Sequence, residues 1–239
     1  MKITSGTVAN VLFSLACLVV IAVGVTLLLE RFTGPASPSA GDASASRALT
    51  EFPKDLTIDI AQASVSVRGA PKVALIEFSD FQCPYCGRYA RDTHSKIERE
   101  FVDSGLVAYA FFNFPLERIH PLALRASEAV ECAGVQRRFF EMYVRLFGDQ
   151  DALGESQLFE HARALDLREP EFRTCLAGQV LPRIRAQMDV GERSGVKSTP
   201  TFFVGVIAEN GAVRATKKIV GPQSYATFAS ALKSAIGGS

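Results

Sequence analysis

The chain carries one C-x-x-C and no H-x-x-x-H, and those two shortages exclude most of the metal chemistry that cysteine pairs serve. A structural zinc site needs four ligands. Cys83 and Cys86 would supply two, but Cys17, Cys132 and Cys175 stand alone and His94, His120 and His161 lie far apart. A c-type haem site requires histidine directly after the second cysteine, where this chain has Gly87. No metal is therefore expected, and no cofactor beyond the cysteine pair itself. An excess of charge of either sign is missing too: 26 lysines and arginines face 25 acidic residues, for a net charge of +1. That leaves no basic field to gather nucleic acid. Tryptophan is also absent, which excludes nothing.

What is present is 239 residues, 48% of them hydrophobic, enough for one sizeable domain and an appendage. Five cysteines point to export from a reducing cytosol. Val8 to Leu29 carries no charge, and its 22 residues would reach across a bilayer core of about 30 Å. Lys2 precedes it while Glu30 and Arg31 cancel after it, a bias that leaves the N-terminus inside. A cleaved signal peptide is the alternative, but its apolar core is shorter, and Glu30-Arg31-Phe32 is a poor cleavage site. Residues 1–32 are thus read as an uncleaved signal anchor. Cys17 lies inside it without the upstream leucine of a lipobox, as a buried thiol. Residues 33–48 are small and polar and predict a flexible tether, and 49–239 predict the folded domain.

Within that domain, Thr57 to Arg68 alternates enough for one strand or two short ones. Val73 to Phe78 is nearly continuous in apolar residues, the pattern of a buried strand. Cys83-Pro84-Tyr85-Cys86 follows at once. Pro84 suits the first turn of a helix, and Cys86, Ala90, Thr93, Ile97 and Phe101 recur at helical spacing as its inner face, with Gly105 as the far cap. A sulfur delivered to a helix N-terminus is favoured as thiolate, and a second cysteine one turn on is close enough to attack a mixed disulfide formed by the first. Leu106 to Phe114 predicts a strand that stops at Pro115. Short helices follow at Leu122–Ala133, Arg137–Phe147, Ser156–Leu165, Glu171–Leu176 and Ile184–Gly195. Thr201–Ala208 and Val213–Val220 flank Asn210-Gly211, which predicts a hairpin with a type I′ turn, and Gln223–Ile236 predicts a closing helix.

This order resembles the thioredoxin fold of the DsbA-like thiol:disulfide oxidoreductases, from about Thr57 to the C-terminus. The motifs that carry the likeness are Glu77-Phe-Ser-Asp-Phe-Gln-Cys83-Pro-Tyr-Cys86, Phe114-Pro-Leu with His120-Pro121, Glu131-Cys132-Ala133, and Gly195-Val-Lys-Ser-Thr-Pro200-Thr-Phe-Phe. The resemblance implies an α/β thioredoxin-like fold with an inserted helical domain at about 117–195, preceded by the transmembrane helix. It implies that Pro200 is cis and faces the cysteines, and that Thr199 pairs with an extended substrate beside Pro84 and Tyr85. An ordinary trans proline opening a strand is the alternative.

Glu77 matches the family's buried acid. A carboxyl inside an apolar strand has its pKa raised and can pass a proton to or from Cys86; otherwise it is a strand-edge carboxylate in water. Cys132 and Cys175 lie on apolar helical faces, and in an oxidising compartment they are expected to form a structural disulfide rather than two free thiols. His120 is read as a turn histidine without a catalytic task.

The function expected from the resemblance is an extracytoplasmic oxidase, on the periplasmic or extracellular side of the cell membrane, that introduces disulfides into folding exported proteins. Its reoxidation would fall to a quinone-linked membrane partner of the DsbB or vitamin K epoxide reductase type. A tethered reductase or isomerase, with electrons flowing the other way, and a non-enzymatic tethered chaperone are the competing readings.

Overall fold

A computed structural model describes residue 53 and residues 55–238; the apolar stretch Val8–Leu29, Cys17 and the tether at 33–48 lie outside the described residues. Two short strands open the fold, β1 (Thr57–Ile58) and β2 (Ser64–Ser66), and β3 (Val73–Ser79) follows with every residue buried. A run with water on neither face cannot sit at a sheet edge. β3 accordingly pairs in parallel with β4 (Val107–Asn113) on one side and antiparallel with β5 (Thr201–Ile207) on the other. With β6 (Val213–Val220), the sheet runs β1-β6-β5-β3-β4-β2.

The helical rod after the cysteines departs from a regular 3.6-residue period. α1 (Pro84–Tyr89) widens into a π-helical turn at Ala90–His94, returns to α geometry in α2 (Ser95–Ile97), and widens again at Glu98–Val102. Residues five apart then share a face. The predicted inner face is corrected on this point: Tyr89 and His94 are buried, whereas Ala90 is only half-buried. Gly105 ends the rod at φ +76°, a backbone conformation without cost for glycine.

The insert consists of α3 (Ala123–Val135), α4 (Phe139–Gly148), α5 (Glu155–Ala164), α6 (Glu169–Leu176) and α7 (Leu181–Arg193), and α8 (Tyr225–Gly237) closes the chain. A disulfide between Cys132 and Cys175 ties α3 to α6 across 43 residues. Closing a loop of that length stabilises by about 4 kcal/mol in the chain-entropy account. Glu131, beside Cys132, ties the insert to the sheet: Asn113 Nδ2 at the end of β4 and Gln187 Nε2 on α7 donate to its Oε1 at 2.8 and 2.9 Å. Among the described residues no helix is long and apolar enough to cross a membrane.

Alternation along β3 divides the core. Val73 and Leu75 pack into a layer with the cysteines, α3, α4 and α8; Ala74, Ile76 and Phe78 pack against the opposite layer, where Met188 and Val190 of α7 lie. Glu77 and Ser79 therefore project into the cysteine layer. The β5–β6 hairpin forms, but with a different turn: Gly211 alone has positive φ, +82°, while Asn210 does not. Gly211 N donates to Ala208 O at 2.9 Å and Asn210 Oδ1 accepts from Ala212 N at 3.1 Å, so a five-residue loop replaces the type I′ turn.

Candidate active site

Cys83 is the cap residue of α1 and Pro84 occupies its first turn, where a missing N–H leaves no hydrogen bond unmade. The loop entering this turn is held by Asp80, fully buried at the end of β3. Its Oδ1 accepts from Gln82 N at 2.8 Å and Cys83 N at 3.2 Å, and its Oδ2 accepts from Leu116 N at 2.8 Å and lies 2.8 Å from His120 Nδ1. From the insert, Gln150 Nε2 donates to Phe81 O and Cys83 O at 2.8 and 2.9 Å. A Cβ at Gly87 would come within 1.9 Å of Gln150 Oε1 and dislodge that clamp.

Sequence reasoning missed Asp80 and Gln150 and gave His120 no task. The partners of Asp80 Oδ2 and of Gln150 lie 36 to 69 residues away, beyond the reach of local spacing, whereas Asp80 Oδ1 bonds the backbone only two and three residues on.

The two thiols are unlike. Cys83 keeps 3% of its surface and Cys86 none, so both residues are buried, while Pro84 and Tyr85 stand exposed between them. Cys83 Sγ lies 3.5 Å from Thr199 O, and the Thr199–Pro200 bond is cis, so the cysteine turn and this segment meet. A hydrogen bond from the Cys86 thiol, opposed by burial and aided by Thr199 and the backbone N–H groups of Cys86 and Tyr85, lowers the Cys83 pKa from 9.0 to about 6. The helix N-terminus contributes, but the neighbouring thiol contributes most. Burial pushes Cys86 well above its ordinary value, and the Cys83 charge pushes it further.

Glu77 shares the buried layer with Cys86. Tyr109 Oη of β4 donates a short hydrogen bond to Glu77 Oε2, and Tyr143 Oη of α4 approaches the same oxygen at 3.3 Å. Burial raises the Glu77 pKa from 4.5 to about 7 against the pull of these hydroxyls. The strand-edge alternative is thereby excluded, since Glu77 has no exposed surface. His94 packs edge-on to Tyr109 with ring centroids 4.9 Å apart, and burial lowers its pKa from 6.5 to about 4, so it is neutral at pH 7.

Between pH 4.5 and 7 the folded chain keeps a proton on Glu77 that the unfolded chain has released, so stability falls as pH rises and levels off above 7, at a cost of roughly 3 kcal/mol. Glu77→Gln is expected to be more stable than the natural chain at pH 8, with the difference closing below pH 5. Urea unfolding at both pH values measures this, and equal stability at pH 8 would contradict it.

Among the described residues no three His, Cys, Asp or Glu side chains gather as a metal site would need. Cys132 and Cys175, bonded to each other, take no part in this constellation. The arrangement offers one acidic thiol and one buried, reluctant thiol in a single helical turn, with a protonatable carboxyl in the same layer.

Residues 66–233 match the family described as Thioredoxin. Among curated proteins, the chain is similar to Na(+)/H(+) antiporter NhaA 3 of Salinispora tropica, 38% identical over 154 residues, which is 63% of this chain and 23% of that protein. It is also similar to Na(+)/H(+) antiporter NhaA 1 of Mycobacterium sp. strain KMS, 38% identical over 143 residues, 58% of this chain and 23% of that protein. The chain thus spans about a quarter of the length of these curated relatives. Among solved structures it is similar to alpha-DsbA1 of Wolbachia pipientis, with a TM-score of 0.67 and 19% identity over 76% of this chain and 94% of that one. Oxidised BdbD of Bacillus subtilis has a TM-score of 0.65 and 19% identity, covering 78% of this chain and 100% of that one.

Proposed function

The chain belongs to the thioredoxin family, and we propose that within it the Cys83–Cys86 pair acts as an extracytoplasmic thiol:disulfide oxidoreductase that introduces disulfides into exported proteins. The observation that carries this is the asymmetry of the two thiols: Cys83 is ionised near pH 6 and Cys86 stays protonated. A stabilised Cys83 thiolate favours the reduced pair and so makes the oxidised pair a strong oxidant.

A substrate thiolate attacks Cys83 Sγ of the oxidised pair, the Cys83–Cys86 bond breaks, and Cys86 leaves with the electron pair and takes up a proton. A second substrate thiolate then attacks the substrate sulfur of the mixed disulfide and expels Cys83 as thiolate, a good leaving group because it is acidic. Thr199 and Pro200 would align the extended substrate against Cys83, with Pro84 and Tyr85 as the exposed flank. The partner that reoxidises the pair would be quinone-linked and membrane-bound, of the DsbB or vitamin K epoxide reductase type. The N-terminal apolar stretch would tether the domain, and the similarity to proteins named antiporters supports a membrane setting.

The competing direction is a reductase or isomerase, and neither Thr199 before the proline nor Pro84-Tyr85 between the cysteines decides between the two. Equilibration with a glutathione buffer separates the two. A reduction potential near about −120 mV is expected, and one near about −270 mV, that of thioredoxin, would defeat the oxidase reading.

A further inference from the structure

The loop that leaves β4 is laced to the cysteine turn by bonds that the thiol exchange itself does not use. Phe114 N donates to Ser79 O at 2.8 Å and Leu122 N donates to Gln82 Oε1 at 2.7 Å. Between these two links Asp80 meets His120, with Oδ2 and Nδ1 2.8 Å apart. The Asp80 side chain has no exposed surface and that of His120 keeps 16%. A carboxyl group taken so far from water needs donors for both of its oxygens. Oδ1 has the N–H groups of Gln82 and Cys83, and Oδ2 has that of Leu116. His120 is the fourth partner and the one side chain among them. An aspartate turns easily about its Cβ–Cγ bond, so whatever grips Oδ2 also fixes where Oδ1 points. Here Oδ1 points at the N–H of Cys83, 3.2 Å away.

We infer that His120 is a positioning residue for Cys83: by holding Asp80 Oδ2 it keeps Oδ1 on the Cys83 N–H, and so fixes the sulfur at the helix N-terminus opposite Thr199. This rests on the oxidoreductase reading above. The path is continuous, from His120 Nδ1 through one carboxyl group to Cys83 N, with no hydrogen bond longer than 3.2 Å. Its effect is geometric, and no proton or electron passes along it. Gln150 Nε2 holds Cys83 O from the side of the insert, so the reacting residue is gripped at both of its backbone polar atoms. Released at its N–H, Cys83 can turn its sulfur away from Thr199 O, 3.5 Å distant, and from the first N–H groups of α1. A thiolate so displaced loses part of its stabilisation.

The test follows the alkylation rate of Cys83 in the reduced full chain from pH 4 to 9, beside urea unfolding of the same samples. His120→Leu removes the donor. The Cys83 midpoint should rise from about 6 to about 7, the tenfold that one charge-assisted hydrogen bond is worth, slowing alkylation at pH 6 about fivefold. His120→Asn sets a side-chain N–H where Nδ1 stands and should return the midpoint to that of the natural chain. In an Asp80→Ala background His120→Leu should move it no further. A histidine that only stabilises the fold would lower the urea midpoint in His120→Leu and leave the Cys83 titration unmoved. That result, or an Asn variant no better than Leu, overturns the inference. If the variants do not fold, the natural chain decides: a long-range proton–nitrogen spectrum should show a hydrogen on His120 Nδ1, and a bare Nδ1 overturns the inference. An acidic Cys83 indifferent to His120 sinks the positioning alone, whereas an ordinary alkaline Cys83 in the natural chain sinks the oxidoreductase reading itself.

Discussion

Dithiol oxidation by a Cys83→Ser variant is expected to fall to the uncatalysed rate, while a Cys86→Ala variant should accumulate mixed disulfides with its substrates. The difference follows from where the two sulfurs sit. Cys86 has no exposed surface, so a substrate sulfur can bond only to Cys83, 3.5 Å from Thr199 O and flanked by exposed Pro84 and Tyr85. Without Cys83 there is nothing to accept the attack. In Cys86→Ala the Cys83 thiolate attacks a substrate disulfide, bonds one of its sulfurs and expels the other as thiolate; the resulting mixed disulfide meets no internal thiol, and its release must await an external one. Non-reducing electrophoresis with mass spectrometry of the trapped species measures both outcomes and identifies the substrates. Normal substrate folding in cells carrying Cys83→Ser would instead favour the tethered chaperone, and an absence of trapped adducts in Cys86→Ala would remove the covalent step altogether.

Local chemistry was legible in the sequence and long-range company was not. Val73 to Phe78 announces a buried strand because no polar residue interrupts it except Glu77, and Cys83-Pro84-Tyr85-Cys86 announces its helix turn because Pro84 fits the first turn and few other places. The reason Glu77 is tolerated there lies elsewhere: Tyr109 is 32 residues away and Tyr143 is 66, and no spacing rule links them. His94 was invisible as a core residue because the π-helical turn at Ala90–His94 shifts the face it occupies, and a period of 3.6 places it beside the stripe rather than in it. In the hairpin, Asn210-Gly211 correctly marks a reversal, but the loop length decides the turn type, and five residues between the strands leave only Gly211 at positive φ.

Thiol acidity decides how much of Cys83 is ready to react. A pKa near 6 leaves about nine-tenths of it as thiolate at pH 7, against about one part in a hundred for an ordinary thiol at 9.0. Because the Cys86 thiol is the largest contributor, Cys86→Ala should also move the Cys83 midpoint upward. The most direct measurement is the ultraviolet thiolate titration of the reduced natural chain, checked by the pH dependence of its alkylation. One thiolate should appear with a midpoint near pH 6 and the second only well above 9. Two thiols titrating together near 9 would contradict the account.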